Sequence, residues 1–539
     1  MSFRMCSRVV LSSLFVLPCA CLDHPLKSVE YESIGEGETV LVLDVQRKVD
    51  VLFVIDNSGS MGEEQAVLAA NFNTFVEVLE RMDVGADYRI GITTTDNGNI
   101  SCRNTTPEAG ALQMRSCRSH LDDFVFSPGT SAVIDKTVEA CLDPCPDTLM
   151  DLQPVPTALD DDGAQAVRPW LQRGNGTTNV PEGVTTAQAL GCWGPQGING
   201  CGFESALESM RLTLVRSGVD TESGYGFMRD DALLQVVFIT DEADCSVTVA
   251  GQAAFDIEGT RDLWPDPEAP LPPSAVCWNA GVGCSSLADG TTHCEPVVLD
   301  ASGEPVHGDD AALHPLRRYI EILRKIDEDK RLIAETTDPQ VLVSVIGGVP
   351  SGYAGEPIDY AAGSDGEFFD SFGVGPGCSS GNGTAVPPVR LRVLAEAFAD
   401  EPGTNLFSIC DADYSPALDA IAEILVGRFR PNCIEGCVAA VGALDDGDLP
   451  SCTVVHEIGG TSKEIATCVR DSQGQWQRPE GEALCLYAVT GDDLDPACDV
   501  AGQNVELRFL RDPQVPVGNV SATCEMSTQG LTECPGPSS

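Results

Sequence analysis

The sequence predicts an α/β chain: a doubly wound, mostly parallel sheet with two disulfide-rich insertions, followed by a small cysteine-rich β-type domain. Three observations carry this. Short apolar runs at residues 49–55 (VDVLFVI) and 233–239 (LLQVVFI) have the β-branched composition of strands buried on both faces. Segments with apolar residues spaced by three and four alternate with such runs, as crossover helices do between parallel strands. From Pro431 onward, short alternating runs are punctuated by eight cysteines, the pattern of a small β-rich unit stapled by disulfides.

Residues 1–20 read as an export signal, with Arg4 and Arg8 ahead of an apolar run over residues 9–17. That run falls short of the ~20 residues needed to span a bilayer. Pro18-Cys19-Ala20-Cys21 places a small residue directly before a cysteine and resembles the lipobox of bacterial lipoproteins, with Cys21 as the diacylated residue. Plain secretion after Ala20 is the alternative. The chain is therefore expected in the cell envelope, on a membrane only through that lipid, or else secreted or periplasmic. Residues 21–45 are expected to be a polar tether.

The fold proper is expected over residues 46–430. Residues 49–55 form a strand ending at Asp56. A helix follows over residues 63–82, where Val67, Ala70, Phe75, Val78 and Leu79 keep helical spacing, and residues 88–93 (YRIGIT) close a strand, helix, strand unit. Residues 97–198 interrupt the alternation with Asn, Pro, Gly and five cysteines. A structureless loop of that length is out of place in a compact domain, so it reads as a disulfide-held insertion. The alternation resumes with a helix over 203–215 and the 233–239 strand, which runs into Thr240-Asp241. A second insertion over 246–310 carries Cys277, Cys284 and Cys294. Helices over 313–326, 389–399 and 415–429 then alternate with strands over 341–346 and 405–409. Residues 431–539 make the cysteine-rich domain, with strand-like runs at 453–457, 483–489, 505–510 and 520–524.

Charge and cysteine content bound the function. With 539 residues, 42% of them hydrophobic, the chain can fill one large core and a second unit. A formal charge of −50 repels phosphate backbones and anionic membrane surfaces, which argues against nucleic acid as a partner. Setting aside Cys6, Cys19 and Cys21 leaves twenty of the 23 cysteines, an even number suited to disulfides in an oxidising compartment. Twelve lie from Cys102 to Cys410 and eight from Cys433 onward, so each part can close its bridges internally. Zinc is disfavoured, because Cys141/Cys145 and Cys433/Cys437 have neither a second close pair nor a histidine cluster beside them.

In a doubly wound sheet, ligands bind outside the carboxyl ends of the strands. Asp56 and Asp241 both stand at such ends, and with nearby hydroxyls they offer the oxygen donors that Mg²⁺, Mn²⁺ or Ca²⁺ prefer. Asp56-Asn57-Ser58-Gly59-Ser60, between a buried strand and a long helix, resembles the DxSxS loop of the metal-ion-dependent adhesion site in von Willebrand factor type A (VWA) domains. Val237-Phe238-Ile239-Thr240-Asp241 is similar to that family's fourth strand with its metal-site aspartate, and residues 405–429 to its last strand and helix. The resemblance covers residues 46–430 without the insertions and implies a VWA fold, a Rossmann-like sheet. It also implies that Ser58 and Ser60 hold the cation through their hydroxyls, Asp56 and Asp241 directly or through water, and that a partner protein's acidic residue takes the open position. Such a protein is a non-enzymatic envelope binding or adhesion protein.

One family donor is out of place. The family supplies a threonine just before the helix that here starts near residue 203, and counting back from Ala206-Leu207 puts Cys201 there, a poor ligand for a hard cation. Asn199, or Thr94 and Thr95 at the end of the second strand, are possible substitutes on the rim. A pairing of Cys201 with Cys245 on the same rim is conceivable. The alternatives stay open: a disulfide-stabilised interaction module with a degenerate metal site, or a metal-assisted hydrolase, for which no general base beyond Asp56 and Asp241 is recognisable. Ser58 and Ser60 could also simply cap the following helix. His456-Glu457 begins like a zinc-protease motif, but Gly460 replaces the second histidine and the segment reads as strand.

Overall fold

The computed structural model describes residues 38–43 and 47–527 apart from short internal stretches. The export signal and Cys21 lie outside the described residues.

The first strand, β1 (Glu38–Leu43), belongs to the C-terminal part and is taken up with it. The central sheet begins with β2 (Lys48–Ile55). Val49, Val51, Phe53 and Ile55 enter the core on one face, and Leu52 and Val54 the core on the other. Burial on both sides is why this stretch of sequence is apolar almost throughout. α1 (Gly62–Glu80) covers the first face, where Phe53 meets Phe72 and Phe75 edge-on at 5.5 and 5.4 Å between ring centroids. β3 (Asp87–Thr94) runs parallel to β2.

The first insertion is more than a loop. It supplies β4 (Leu171–Gly174), antiparallel to β3, then β5 (Thr177–Thr178), antiparallel to β4, and α2 (Thr186–Trp193), which starts at a Thr185/Gln188 capping box. α3 (Ala206–Ser217) leads into β6 (Leu233–Ile239), the other parallel neighbour of β2. α4 (Arg317–Ile333), β7 (Val341–Gly347), α5 (Val389–Glu396), β8 (Leu406–Ser408) and α6 (Ser415–Val426) complete the unit. The strand order is β8-β7-β6-β2-β3-β4-β5. Five strands are parallel and the two from the insertion are antiparallel at one edge. α1, α2 and α6 pack on one face, α3, α4 and α5 on the other.

Two helix starts differ from expectation. α3 begins at Ala206 rather than 203 because Asp244 Oδ1 accepts from the Leu207 N–H at 3.0 Å and fixes the first turn there. α4 begins at Arg317 rather than 313, since Ala312 and His314 donate their N–H groups to Leu299 and Ser246.

The C-terminal part contains β9 (Cys452–Ile458), β10 (Thr461–Glu464), β11 (Leu484–Val489), β12 (Glu506–Arg511) and β13 (Asn519–Glu525). Here the tether expectation needs correcting: β1 pairs antiparallel with β13, Glu38 opposite Glu525 and Leu43 opposite Val520, in the sheet β1-β13-β9-β10. The Thr39-Val40-Leu41-Val42 run has the β-branched, apolar composition of a strand, so residues 38–43 are sheet and not spacer.

The disulfides seen among the described residues stay within each part, as expected. Cys102–Cys201, Cys117–Cys141, Cys145–Cys192, Cys245–Cys277, Cys284–Cys294 and Cys378–Cys410 close the first part. Cys433–Cys498, Cys452–Cys524 and Cys468–Cys485 lie in the second. Cys201 therefore does not pair with Cys245. The residue facing the Cys245 backbone is Glu204, whose carbonyl accepts the Cys245 N–H at 2.6 Å. No helix among the described residues is long and apolar enough to cross a membrane.

Candidate metal centre

β2 and β6 lie side by side and end level, Ile55 opposite Ile239, so Asp56 and Asp241 emerge together at the carboxyl edge. The Asp56 N–H donates to Ile239 O at 2.9 Å. Its carboxylate, 0% exposed, accepts from the Ser58 N–H at 2.8 Å and from the Thr240 hydroxyl at 2.6 Å. Gln65 ties the loop down by donating Nε2 to Asp56 O at 2.8 Å and accepting the Gln196 N–H at 3.1 Å.

The serines do not cap α1, whose N-cap residue is Met61 and has no side-chain hydrogen bond. Instead the Ser58 and Ser60 hydroxyl oxygens lie 3.0 Å apart, and Ser60 donates to Asp241 Oδ1 at 3.2 Å. Gly59 is demanded by packing: a Cβ there would come within 2.3 Å of the Phe126 ring, which the first insertion lays over the loop. On the other side, Gly200 donates its N–H to Asn57 O at 2.7 Å, and a Cβ at Gly200 would sit 2.3 Å from Asn57 Oδ1.

The remaining rim candidates go elsewhere. Cys201 is bonded to Cys102, and its N–H donates to Asp96 Oδ2 at 3.2 Å; its sulfur is thereby removed from any cation. Thr94 donates to Glu108 Oε2 at 2.6 Å. Asn199 is exposed and lines a neighbouring cleft of about 500 Å³ together with Asn57, Asp96 and Glu108. Asp244 is committed to the start of α3 and to Arg390, 2.9 Å away.

Sequence reasoning missed Glu204. It lies just ahead of α3, 0% exposed, accepts a hydrogen bond from the Thr95 hydroxyl through Oε2, and leaves Oε1 without a donor. Its carboxylate stands against that of Asp56. An acid at a helix start is ordinarily a solvated partner of the helix dipole, so nothing local marked it as buried. The usable signal was its place three residues beyond the expected donor position, on the same loop.

Electrostatically this edge is unbalanced. Burial pushes the Asp241 and Glu204 carboxyls well above the usual range, with the charges of Asp56 and Glu242 adding to the effect. Asp56 is also raised by burial, against the opposing bonds from Thr240 and Ser58. Glu242 is pushed to about 8 by burial and then by Asp56, and Glu64 to about 7 by burial foremost. Among the described residues no Lys or Arg pairs with Asp56, Glu204, Asp241 or Glu242. Arranging so much carboxylate without a counter-cation costs folding free energy.

The donor set suits a hard divalent cation. It is all oxygen, with Ser58 Oγ, Ser60 Oγ and Asp241 Oδ1 strung at 3.0 and 3.2 Å. Among the described residues no three His, Cys, Asp or Glu side chains are by themselves arranged to hold a metal ion, so a cation here depends on the serine hydroxyls.

No protein-family model matches the chain, and no curated protein matches it in sequence. Among solved structures, the pilus adhesin SpaC from Lactobacillus rhamnosus GG, in an open conformation, aligns at 9% identity over 91% of this chain and 41% of the adhesin, with a TM-score of 0.28. The vWF domain of the type V pili tip protein Mfa5 from Porphyromonas gingivalis aligns at 11% identity over 72% of this chain and 98% of that domain, with a TM-score of 0.25. The chain thus spans about two fifths of the length of SpaC. At these TM-scores the likeness carries no argument, and the functional reading rests on the elements and distances above.

Proposed function

We propose that this chain is a VWA-type, non-enzymatic binding or adhesion protein of the cell envelope, exported and anchored through lipid on Cys21. It engages a partner protein through a divalent cation, Mg²⁺, Mn²⁺ or Ca²⁺, held by Asp56, Ser58, Ser60 and Asp241. The observation that carries the reading is the line of oxygens Ser58 Oγ, Ser60 Oγ and Asp241 Oδ1 at the adjoining carboxyl ends of β2 and β6. A hard cation bound there would offer a partner's acidic side chain a strong, directional anchor. In the chain itself, Thr240 and the Ser58 N–H orient Asp56, Gln65 fixes the loop, and Phe126 shields it from one side.

Titration calorimetry of the purified chain with MgCl₂, MnCl₂ and CaCl₂ tests this. Heat of binding should be measured for the wild type and lost in Asp56→Ala. Absence of binding at millimolar cation would sink the reading. A second reading, a disulfide-braced interaction module whose cation site is degenerate, is favoured by one observation, the engagement of Cys201 in a disulfide. It predicts that Asp56→Ala leaves partner capture from envelope extract unchanged, with and without chelator.

A further inference from the structure

The cleft of about 500 Å³ next to the Asp56–Ser60 loop falls in the size range of ligand sites, and two of its residues have bonding capacity to spare. Asn57, one residue before Ser58, lines the cleft and is 6% exposed, yet among the described residues its Oδ1 has no donor. A buried amide oxygen left so is costly. Gly200, also on the lining, keeps the space over this amide clear of any side chain: a Cβ there would lie 2.3 Å from Oδ1. Glu108 is the second residue. Three acids and one base line the cleft, Asp96, Glu108, Asp123 and Arg115. Asp96 is spent on the Gly98 and Cys201 N–H groups at 2.7 and 3.2 Å, and Asp123 on Arg115 and His120 at 3.4 and 3.2 Å. Glu108 takes a neutral hydroxyl, from Thr94 at 2.6 Å, and among the described residues no Lys or Arg pairs with it. Burial holds its carboxyl above the usual range, against the Thr94 bond, and a cation beside it would relieve that.

Resting on the cation reading above, we infer that this cleft receives a basic side chain, Lys or Arg, from the same partner segment whose acid caps the cation. Glu108 is the counter-charge, and the Asn57 amide accepts a further N–H from that segment. Asn57 and Ser58 are consecutive, so the two subsites adjoin. One extended segment, rising ~3.3 Å per residue, reaches both within a few residues. The charge of the whole chain agrees: at −50 it repels a segment that carries acid alone, and a neighbouring base offsets the repulsion. What the site recognises is thus an acid with a base a few residues away.

The test uses immobilised short peptides that carry Asp or Asn at the centre and Lys, Gln or Glu at varied spacing to either side. The full chain is passed over them with MgCl₂, MnCl₂ or CaCl₂ and with chelator, and thermal melting is the folding control. In divalent salt, wild type should be retained on Asp/Lys peptides over Asp/Gln ones. Glu108→Gln keeps the size of the side chain and should lower that Lys preference by roughly 10-fold, while the preference for Asp over Asn persists. Thr106→Lys, at an exposed position on the cleft lining, should lower the Lys preference too, and it serves if Glu108→Gln fails to fold. A Lys preference that is absent in wild type, or unchanged in whichever of these variants folds, would overturn this inference; persistence of a cation-dependent preference for Asp over Asn would then leave the cation reading standing. Equal retention on Asp and Asn peptides, in chelator as in divalent salt, would overturn the cation reading and this inference with it.

Discussion

At the amino ends of the central strands, acids are buried with bases. Asp50, 0% exposed, accepts from Arg229 N at 2.6 Å and Nε at 2.9 Å, and Arg229 also donates to Asp87 at 2.8 Å. Burial works against the Arg229 charge, but Asp50 and Asp87 outweigh it and hold the guanidinium more basic than usual. Lys330 donates to Ala232 O at 2.7 Å and to Arg229 O. At the carboxyl ends, Asp56, Glu204, Asp241 and Glu242 are buried with no Lys or Arg paired to them among the described residues. The same sheet neutralises its acids where only folding is at stake and leaves them in surplus where insertions converge. That asymmetry is what favours the carboxyl edge as the binding end in the proposed function.

Substitutions at the two ends should differ in sign. The largest effect is expected at the amino end: Asp50→Ala strands Arg229 without its main partner and should cost about 3–5 kcal/mol, read as a lower denaturant midpoint for the sheet unit. A loss under ~1 kcal/mol would mean that this network is not what holds the end together. Next, Asp241→Asn removes one of several crowded buried acids and should raise stability in chelator, by at most ~4 kcal/mol at an effective dielectric constant of ~20, read as a higher melting point. Destabilisation like that of Asp50→Ala would erase the contrast. Gly59→Ala forces a Cβ into the Phe126 ring and should cost about 1–3 kcal/mol; heat capacity scans would detect it, and a neutral outcome would show that the insertion yields freely over the loop. Smallest is Lys48→Ala. It breaks the 2.8 Å pair with Asp231, which is half exposed, and should change stability by ~1 kcal/mol or less; a larger loss would extend the amino-end network to the surface.

The strands over 49–55, 88–93, 233–239 and 341–346 were legible because a strand buried on both faces leaves an unbroken apolar run, and the observed bounds agree within a residue. That Asp56, Ser58, Ser60 and Asp241 meet at one strand edge was legible because the spacing of the loop is local and the place of both aspartates at strand ends follows from the strands. β4 was not, since Leu171–Gly174 becomes a strand only by pairing with β3 some eighty residues earlier. β1 was missed for the same reason, its partner lying near the other terminus.

The sequence by itself determined the winding of the sheet, the separation of the cysteines into two sets, and the loop that carries two serines to the Asp56 edge. These depend on periodicity and on contacts between neighbours along the chain. Only the tertiary structure decided that Cys201 joins Cys102, that Thr240 clamps Asp56, and that Glu204 turns inward against it. Each of those outcomes depends on which distant segment arrives at the same rim. Whether an acid is solvated or buried is set by what packs over it, and no local pattern records that.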